Sequence, residues 1–518
     1  MVLAVMRSED YPASHPILSC SQSVEWESKL LGSENDSWMA MQAAGKRVGN
    51  EIRRAYAMTC FPQKELSVLG LIGKGHNGGD ALLAIGELVR REGYIKQVGL
   101  ILPAPLDDLR PNTRRAFKLL ESQLELSVGI WPSLDATTLV EKGGFDICID
   151  GLLGMQFRPP LRDVARGIID AVNACSSIRL RVAVDLPSGV GDESDAEPFW
   201  ADFTFATGIF KRPLLGAASA GLARYLDIGF FDDDLVVPER VLIDEILNPL
   251  RAIRPADSEK RDFGHLAILA GSRGMPGALA MCVRSALQSG VGLVTVYAPE
   301  SVASQLACNL SEAMWRSWPE TPEGGLALEG LWQIKPMLAK ASCLLLGPGM
   351  GTEKETHALL CEIGKQWDKP AVLDADALRP EIVAAFSDAG NRDLALTPHD
   401  GEFKRLTGCS DCSDTAVLEY AKANELCLVK KGSATRVTDG ETVFVNATGN
   451  AVLSRGGSGD LLAGLIAGLL AQGGEPLLAA CRAVYWHGKA ADLLAMAKGQ
   501  TAARTTDLLD YLAPALRT

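Results

Sequence analysis

Arg455-Gly-Gly-Ser-Gly-Asp460-Leu-Leu-Ala-Gly-Leu-Ile-Ala-Gly468 places a run of small residues directly before a carboxylate, and an apolar helix begins at that carboxylate. Glycines let backbone N–H groups approach an anion closely, and a helix N-terminus adds a dipole that favours negative charge. An aspartate at the same point would repel a phosphate. It reads instead as a base that takes a proton from a hydroxyl attacking phosphorus, which predicts phosphoryl transfer to an alcohol. The plainer reading is an N-capping Asp after a flexible loop.

Strand-length apolar runs precede this stretch at 265–269, 292–297, 343–346, 371–373, 394–396 and 426–429. A two-stranded excursion over 435–438 and 442–445 turns at Asp439-Gly440, and helices over 459–470 and 477–497 close the chain. A separate set of runs lies upstream at 66–72, 97–102, 145–149, 180–184 and 203–206, with a helix reaching Arg90. Alternating strands and helices predict α/β architecture with parallel sheets and ligands at the carboxyl ends of the strands. The charged, proline-punctuated segment after Leu250 and the acidic run ending at Asp234 put the boundary around 230–240, giving lobes 1–235 and 236–518.

At 518 residues the chain exceeds the size at which one core stops growing, and 47% hydrophobic content supports more than one. The 51 glycines and 6% aromatics suit tight turns and Ala/Leu/Val helices. A net charge of −13 argues against a nucleic-acid or anionic-membrane surface, but leaves anionic small molecules open. The 12 cysteines, among them Cys148, Cys282, Cys343 and Cys427, sit mostly in apolar runs and read as reduced core thiols. Cys409-Ser-Asp-Cys412 has no companion pair to complete a zinc site. With no secretory pattern and no run fit to cross a bilayer, a soluble cytoplasmic protein is expected.

In the first lobe, Gly73-Lys-Gly-His-Asn-Gly-Gly-Asp80 follows a strand but lacks both the Walker ending and the dinucleotide spacing. Asp150-Gly-Leu-Leu-Gly154, Phe157-Arg158-Pro-Pro160 and Asp185-Leu-Pro-Ser188-Gly189 would converge with it if the strands are parallel. Asn77, Asp150 and Ser188 offer only oxygen ligands, which suits a hard cation. Singly, an Asp at a strand end is more often a turn former; several such loops together favour a site. In the second lobe the corresponding loops are Gly271-Ser-Arg-Gly-Met-Pro-Gly277-Ala278, Gly347-Pro-Gly-Met-Gly351, Asp374-Ala-Asp376, Thr397-Pro-His399-Asp-Gly-Glu402 and Lys431-Gly-Ser-Ala-Thr435.

These motifs, in this order, resemble two fused enzymes. The first lobe resembles the YjeF N-terminal domain, the NAD(P)H-hydrate epimerase, a Rossmann-like doubly wound sheet. The second resembles the ADP-dependent NAD(P)H-hydrate dehydratase of the ribokinase-like superfamily. For the first lobe, the resemblance implies potassium at Asn77, Asp150 and Ser188. It implies hydrated nicotinamide nucleotide at His76, Asn77, Gly78, Gly79 and Asp80, at Gly154, Met155, Gln156, Phe157, Arg158, Pro159 and Pro160, and at Asp185. Asp185 or Asp80 would be the acid/base. Two departures stand out: His76 replaces a common Asn, and Gly154-Met-Gln156 replaces Gly-Thr-Gly, which removes a phosphate-contacting glycine.

In the second lobe, the resemblance implies that Ala278, Gly349, His399 and Asp460 contact the hydrated cofactor. Lys431, Gly432, Ser433, Ala434, Thr435 and Gly459 would hold ADP, with magnesium on its phosphates, and Asp460 would be the general base. The activity implied is nicotinamide repair: interconversion of R- and S-NAD(P)HX, then ADP-dependent dehydration of the S form, by a homo-oligomer. Two rival readings are an ATP-dependent kinase of a small alcohol and a first lobe retained as a non-catalytic binding module.

Overall fold

The computed structural model describes residues 11–59, 65–92, 95–124, 128–133, 144–231 and 235–518. Residues 232–234, the end of the acidic run used to place the boundary, lie outside that set. The chain divides into two compact units. One comprises His15–Val237 with Met496–Gly499; the other comprises Pro238–Ala495 and Gln500–Thr518, with the segment before His15.

The first unit holds a seven-stranded sheet in the order Val128–Trp131, Ile95–Ile101, Leu66–Ile72, Ile147–Gly151, Leu180–Val184, Phe203–Thr207, Leu222–Leu226. Every pairing in it is parallel. Chain order runs outward in both directions from the central pair Leu66–Ile72 and Ile147–Gly151, so their carboxyl ends form the switch-point crevice of a doubly wound sheet. Ile72 is in register with Gly151, which brings the Gly73–Asp80 loop beside the loop that follows Asp150. The central strands are buried on both faces, which explains their nearly unbroken Val/Leu/Ile sequence.

The second unit repeats this logic. Its order is Met314–Trp318, Leu293–Pro299, His265–Leu269, Cys343–Leu346, Ala371–Leu373, Leu394–Leu396, Cys427–Lys430, then Arg436–Thr438, Val443–Val445 and Glu239–Leu242. Pairing is parallel as far as Cys427–Lys430 and antiparallel through the Arg436–Thr438 and Val443–Val445 excursion. The switch point lies between His265–Leu269 and Cys343–Leu346. Six strands among the described residues lay outside the sequence reading: Ser14–Leu18, Val128–Trp131, Phe210–Lys211, Leu222–Leu226, Glu239–Leu242 and Met314–Trp318. Val128–Trp131, Leu222–Leu226 and Met314–Trp318 are mainly half-buried or exposed, so they lack the continuous apolar run that marks a central strand.

The helix expected to start at Asp460 starts two residues earlier, as Ser458–Leu470, with Asp460 in its first turn. Gly457, at φ 91°, makes the turn into it, a left-handed conformation that glycine adopts at low cost. The helix is buried almost all round and lies against Pro276–Gln288. A side chain at Gly464 would place its Cβ 2.1 Å from Ser285 Oγ and 2.3 Å from the Cys282 carbonyl, and one at Gly468 would sit 2.1 Å from Ser289 Oγ. The Cys282 thiol also donates to the Asp460 carbonyl at 3.2 Å. Small residues therefore let the two helices close up and fix the height of Asp460. No helix among the described residues is long and apolar enough to cross a membrane.

Alanine at an open helical site gains up to about 1 kcal/mol over glycine. Gly464→Ala should reverse that sign and cost about 1–3 kcal/mol through overpacking. Urea unfolding checks this; a raised midpoint would show that the helices are not in close contact.

Candidate active sites

In the second unit, the loops leaving the two switch-point strands meet. Gly349, at φ 63°, lies so close to the Pro276–Gln288 helix that an added Cβ would be 2.9 Å from both the Ala278 Cβ and the Met275 carbonyl. Lys431 is anchored by its own N–H donating to the Pro398 carbonyl at 2.8 Å. Its ammonium reaches Asp374 Oδ1 at 2.9 Å and Glu402 Oε2 at 3.4 Å. Thr397 Oγ1 donates to the same Asp374 oxygen at 2.7 Å. The ammonium also lies 3.4 Å from where a Gly459 Cβ would be, at the front of the helix carrying Asp460.

The charges explain each other. Burial alone would push the Lys431 ammonium down, but the Asp374 and Glu402 carboxylates hold it above its ordinary value, so it remains a cation. Burial pushes the Asp460 carboxyl up to about 6; Asp374, Glu402 and Asp376 add to the rise, and Lys431 opposes it. Asp460 is therefore ionised near neutrality, yet more basic than an ordinary carboxylate.

His399 is the N-cap of the Asp400–Thr407 helix. Its Nδ1 accepts from the Gly401 and Glu402 amides at 3.0 and 3.2 Å, while the His399 backbone N–H donates to Glu402 Oε2 at 2.8 Å. Nε2 therefore carries the ring proton, on a side chain 60% exposed. Gly432 and Ser433 are exposed, and Ala434 and Thr435 half-buried, in the turn that follows Lys431.

In the first unit a cavity of about 730 Å³ opens at the switch point. His76, Asn77, Gly78, Asp80, Gly154, Met155, Gln156, Phe157, Arg158, Pro160 and Asp185 line it, so most of the expected substrate residues share one space. Gly79 faces the other way: a Cβ there would meet Met41 Sδ at 2.5 Å, and its smallness serves helix packing. Pro159 does not line the cavity either.

Behind the lining, Ser188 donates to Asp150 through its N–H and its hydroxyl, each at 2.7 Å, and accepts from the Leu153 N–H at 2.8 Å. Asn77 Nδ2 donates to the Leu153 carbonyl, so Asn77 and Ser188 both bond Leu153, and Asp150 joins them through Ser188. Burial pushes the Asp150 carboxyl up to about 6, against the stabilising hydrogen bonds from Ser188 and Leu152. Asn77 Oδ1 is buried and has no hydrogen-bond partner. A buried acceptor left unpaired fits a cation bound through oxygen.

Asp185 sits at φ 65°, a left-handed conformation strained for a non-glycine residue. Its carboxylate accepts from Lys211 Nζ, a side chain only 1% exposed, which also donates to the Thr207 carbonyl at 3.2 Å. Lys211 was missed in the sequence. The sole signal was a lysine following Gly208-Ile-Phe210 in an otherwise buried run. Glu27, on the helix Cys20–Leu30, also lines the cavity and was missed, because its neighbours Glu25, Ser28 and Lys29 read as a solvated face.

Two family profiles match the chain: NAD(P)H-hydrate dehydratase over residues 266–514, and the YjeF-related protein N-terminus over 38–213. The bifunctional NAD(P)H-hydrate repair enzyme Nnr of Moorella thermoacetica is 32% identical over 510 residues, covering 93% of this chain and 92% of its own. The chain belongs to the NAD(P)H-hydrate repair family. A relative of the same name in Escherichia coli is 30% identical, across 86% of this chain and 84% of its own. A solved ADP/ATP-dependent NAD(P)H-hydrate dehydratase from Bacillus subtilis, co-crystallised with ATP/Mg2+, is 27% identical. It covers 51% of this chain and 93% of its own, with a TM-score of 0.43.

Lys431→Met should strip buried Asp374 of its cation and cost about 3–5 kcal/mol of stability, because an uncompensated buried charge remains. Asp374→Asn in the same chain should recover much of the loss. Denaturant unfolding of the single and double variants checks this; equal losses would show that the pair is not coupled.

Proposed function

We propose that this member of the family repairs hydrated NAD(P)H, with residues 1–235 epimerising R- and S-NAD(P)HX and residues 236–518 dehydrating the S form with ADP. The observation that carries the reading is Asp460: a carboxylate raised to about 6, one residue from the glycine against which the Lys431 ammonium rests.

Hydration of the reduced ring leaves a hydroxyl where hydroxide is a poor leaving group. Asp460 takes the hydroxyl proton as the oxygen attacks the terminal phosphorus of ADP, and AMP departs. The ring phosphate then leaves with its bonding electrons while the neighbouring carbon loses a proton, which restores the double bond. The amides at the front of Ser458–Leu470 stabilise charge on the migrating phosphoryl group. Lys431, Gly432, Ser433, Ala434, Thr435 and Gly459 hold the nucleotide, and Ala278, Gly349 and His399 position the hydrated ring. Asp374 is already engaged by Lys431 and Thr397, so its donor set suits magnesium carried on the nucleotide phosphates better than a protein cage. Bound there, magnesium would neutralise phosphate charge.

In the first lobe the orphaned Asn77 oxygen, Asp150 and Ser188 would hold potassium. The ion would fix the Asp150–Gly154 loop that forms the cavity wall. His76–Asp80 and Gly154–Pro160 take the substrate there, and the Asp185 carboxylate provides a fixed negative charge facing the ring.

Asp460→Asn should lower ADP-dependent dehydration of S-NADHX at least about 100-fold while leaving ADP affinity within a few-fold, because the base acts on the acceptor. In the unaltered chain the rate should fall as pH drops through about 6, where Asp460 takes up its proton. Recovery of absorbance at the reduced ring, with ADP titrated separately, checks both; a parallel collapse of ADP binding would make Asp460 structural. Potassium should stimulate epimerisation of the pure R form, and Asp150→Ala should abolish that stimulation. Equal rates in potassium and in a large organic cation would remove the ion site.

A further inference from the structure

The epimerase cavity contains more titratable groups than ion binding and substrate contact require. Glu27 enters its wall from the helix Cys20–Leu30, and Asp80 from the helix His76–Glu92. Asp185 lies on the same cavity with Lys211 directly against it. The four interact as one cluster: Glu27 feels the charges of Lys211 and Asp185, and Asp80 feels those of Asp185, Glu27 and Lys211. Lys211 is the single cation among three carboxyl groups, and its contact is with Asp185. Among the described residues, Glu27 and Asp80 are therefore left without a paired cation in a partly desolvated pocket. Burial pushes Glu27 up to about 7, with Lys211 opposing and Asp185 adding, and it holds Asp80 well above the carboxylate range.

We propose that Glu27, paired with Asp80, is an acid/base of the epimerisation, the two carboxyl groups sharing one proton across the ring. This inference rests on the epimerase reading of the first lobe. Hydration of an enamine-type double bond puts the hydroxyl on the carbon bonded to the ring nitrogen. The C–O bond breaks with its electron pair going to oxygen, which takes the proton held by one carboxyl group and leaves as water. The nitrogen lone pair forms a C=N bond, and the Asp185 carboxylate offsets the resulting positive charge. Water adds to the opposite face and gives its proton to the other carboxylate. The electrons return to nitrogen, and the pair is poised for the reverse reaction. No oxidant or reductant is needed. A group with its midpoint near neutrality is present in both forms, which suits this exchange.

The titratable groups around Glu27 are Asp80, Asp185 and Lys211 in the cluster, with Lys74, Arg110, Arg158, Arg162 and the His76 imidazole, which burial and Arg110 push below its ordinary value, elsewhere on the cavity. The four cations suit the substrate's phosphates, which leaves Glu27 and Asp80 for proton exchange.

The test uses the full chain, pure R-NADHX, and NMR or chiral chromatography to follow both epimers without ADP. Glu27→Gln should lower the epimerisation kcat about 100-fold or more with KM near that of the unaltered chain, and should lose the ionisation near pH 7. Glu27→Asp should restore part of the rate with the ionisation moved. ADP-dependent dehydration of the S epimer by the same preparations reports intact folding. Glu27→Gln with full rate and an unchanged pH profile would overturn the proposal while leaving the epimerase reading in place. No turnover above the spontaneous rate in the unaltered chain would instead remove the epimerase reading, and the role of Glu27 with it.

Discussion

A pair of adjacent parallel strands whose outgoing chains leave in opposite directions must open a crevice at its carboxyl ends, and each unit contains one such pair. The strands are buried on both faces, so their interiors must be apolar and their polar residues concentrate where the strands stop. Asp150 and Asp185 in the first unit, and Gly349, Asp374 and His399 in the second, stand at or just beyond such strand ends. The sheet places the chemistry, and the loops only choose its kind.

Each crevice handles charge differently. In the second unit the Lys431 ammonium is shared between Asp374 and Glu402, and this sharing keeps a cation at the front of the helix that carries Asp460. Asp460 receives only part of its influence and stays more basic than a surface carboxylate. In the first unit the cation, Lys211, lies beneath the strained Asp185, and the remaining carboxyl groups are left raised. In the functions we propose, the same residue types thus serve as a base for an incoming hydroxyl in one lobe and as a proton-exchanging wall in the other.

Packing sets the precision of both sites. Gly464 and Gly468 draw the Ser458–Leu470 helix against Pro276–Gln288, so the height of Asp460 depends on residues in the later turns of its own helix. Gly79, read from the sequence as a substrate contact, shows the converse: it is small because Met41 lies against it. Identical residues in one Gly-rich loop can answer to a ligand or to a helix, and spacing alone does not separate the two.

The central strands, their switch points and the loops that follow them were legible in the linear chain, because burial on both faces writes a continuous apolar run that ends abruptly in glycine and carboxylate. Leu66–Ile72, Leu180–Val184, His265–Leu269, Cys343–Leu346, Ala371–Leu373 and Leu394–Leu396 have the expected limits for that reason. Edge strands such as Val128–Trp131 and Leu222–Leu226 were not legible, since one wet face breaks the pattern. Tertiary structure alone decided that Lys211 lies against Asp185 and that Glu27 and Asp80 line one cavity. Those pairings join segments more than twenty residues apart whose local sequences resemble an ordinary core strand and a solvated helix. Long-range electrostatic partnership leaves no periodic trace in a chain, whereas burial does.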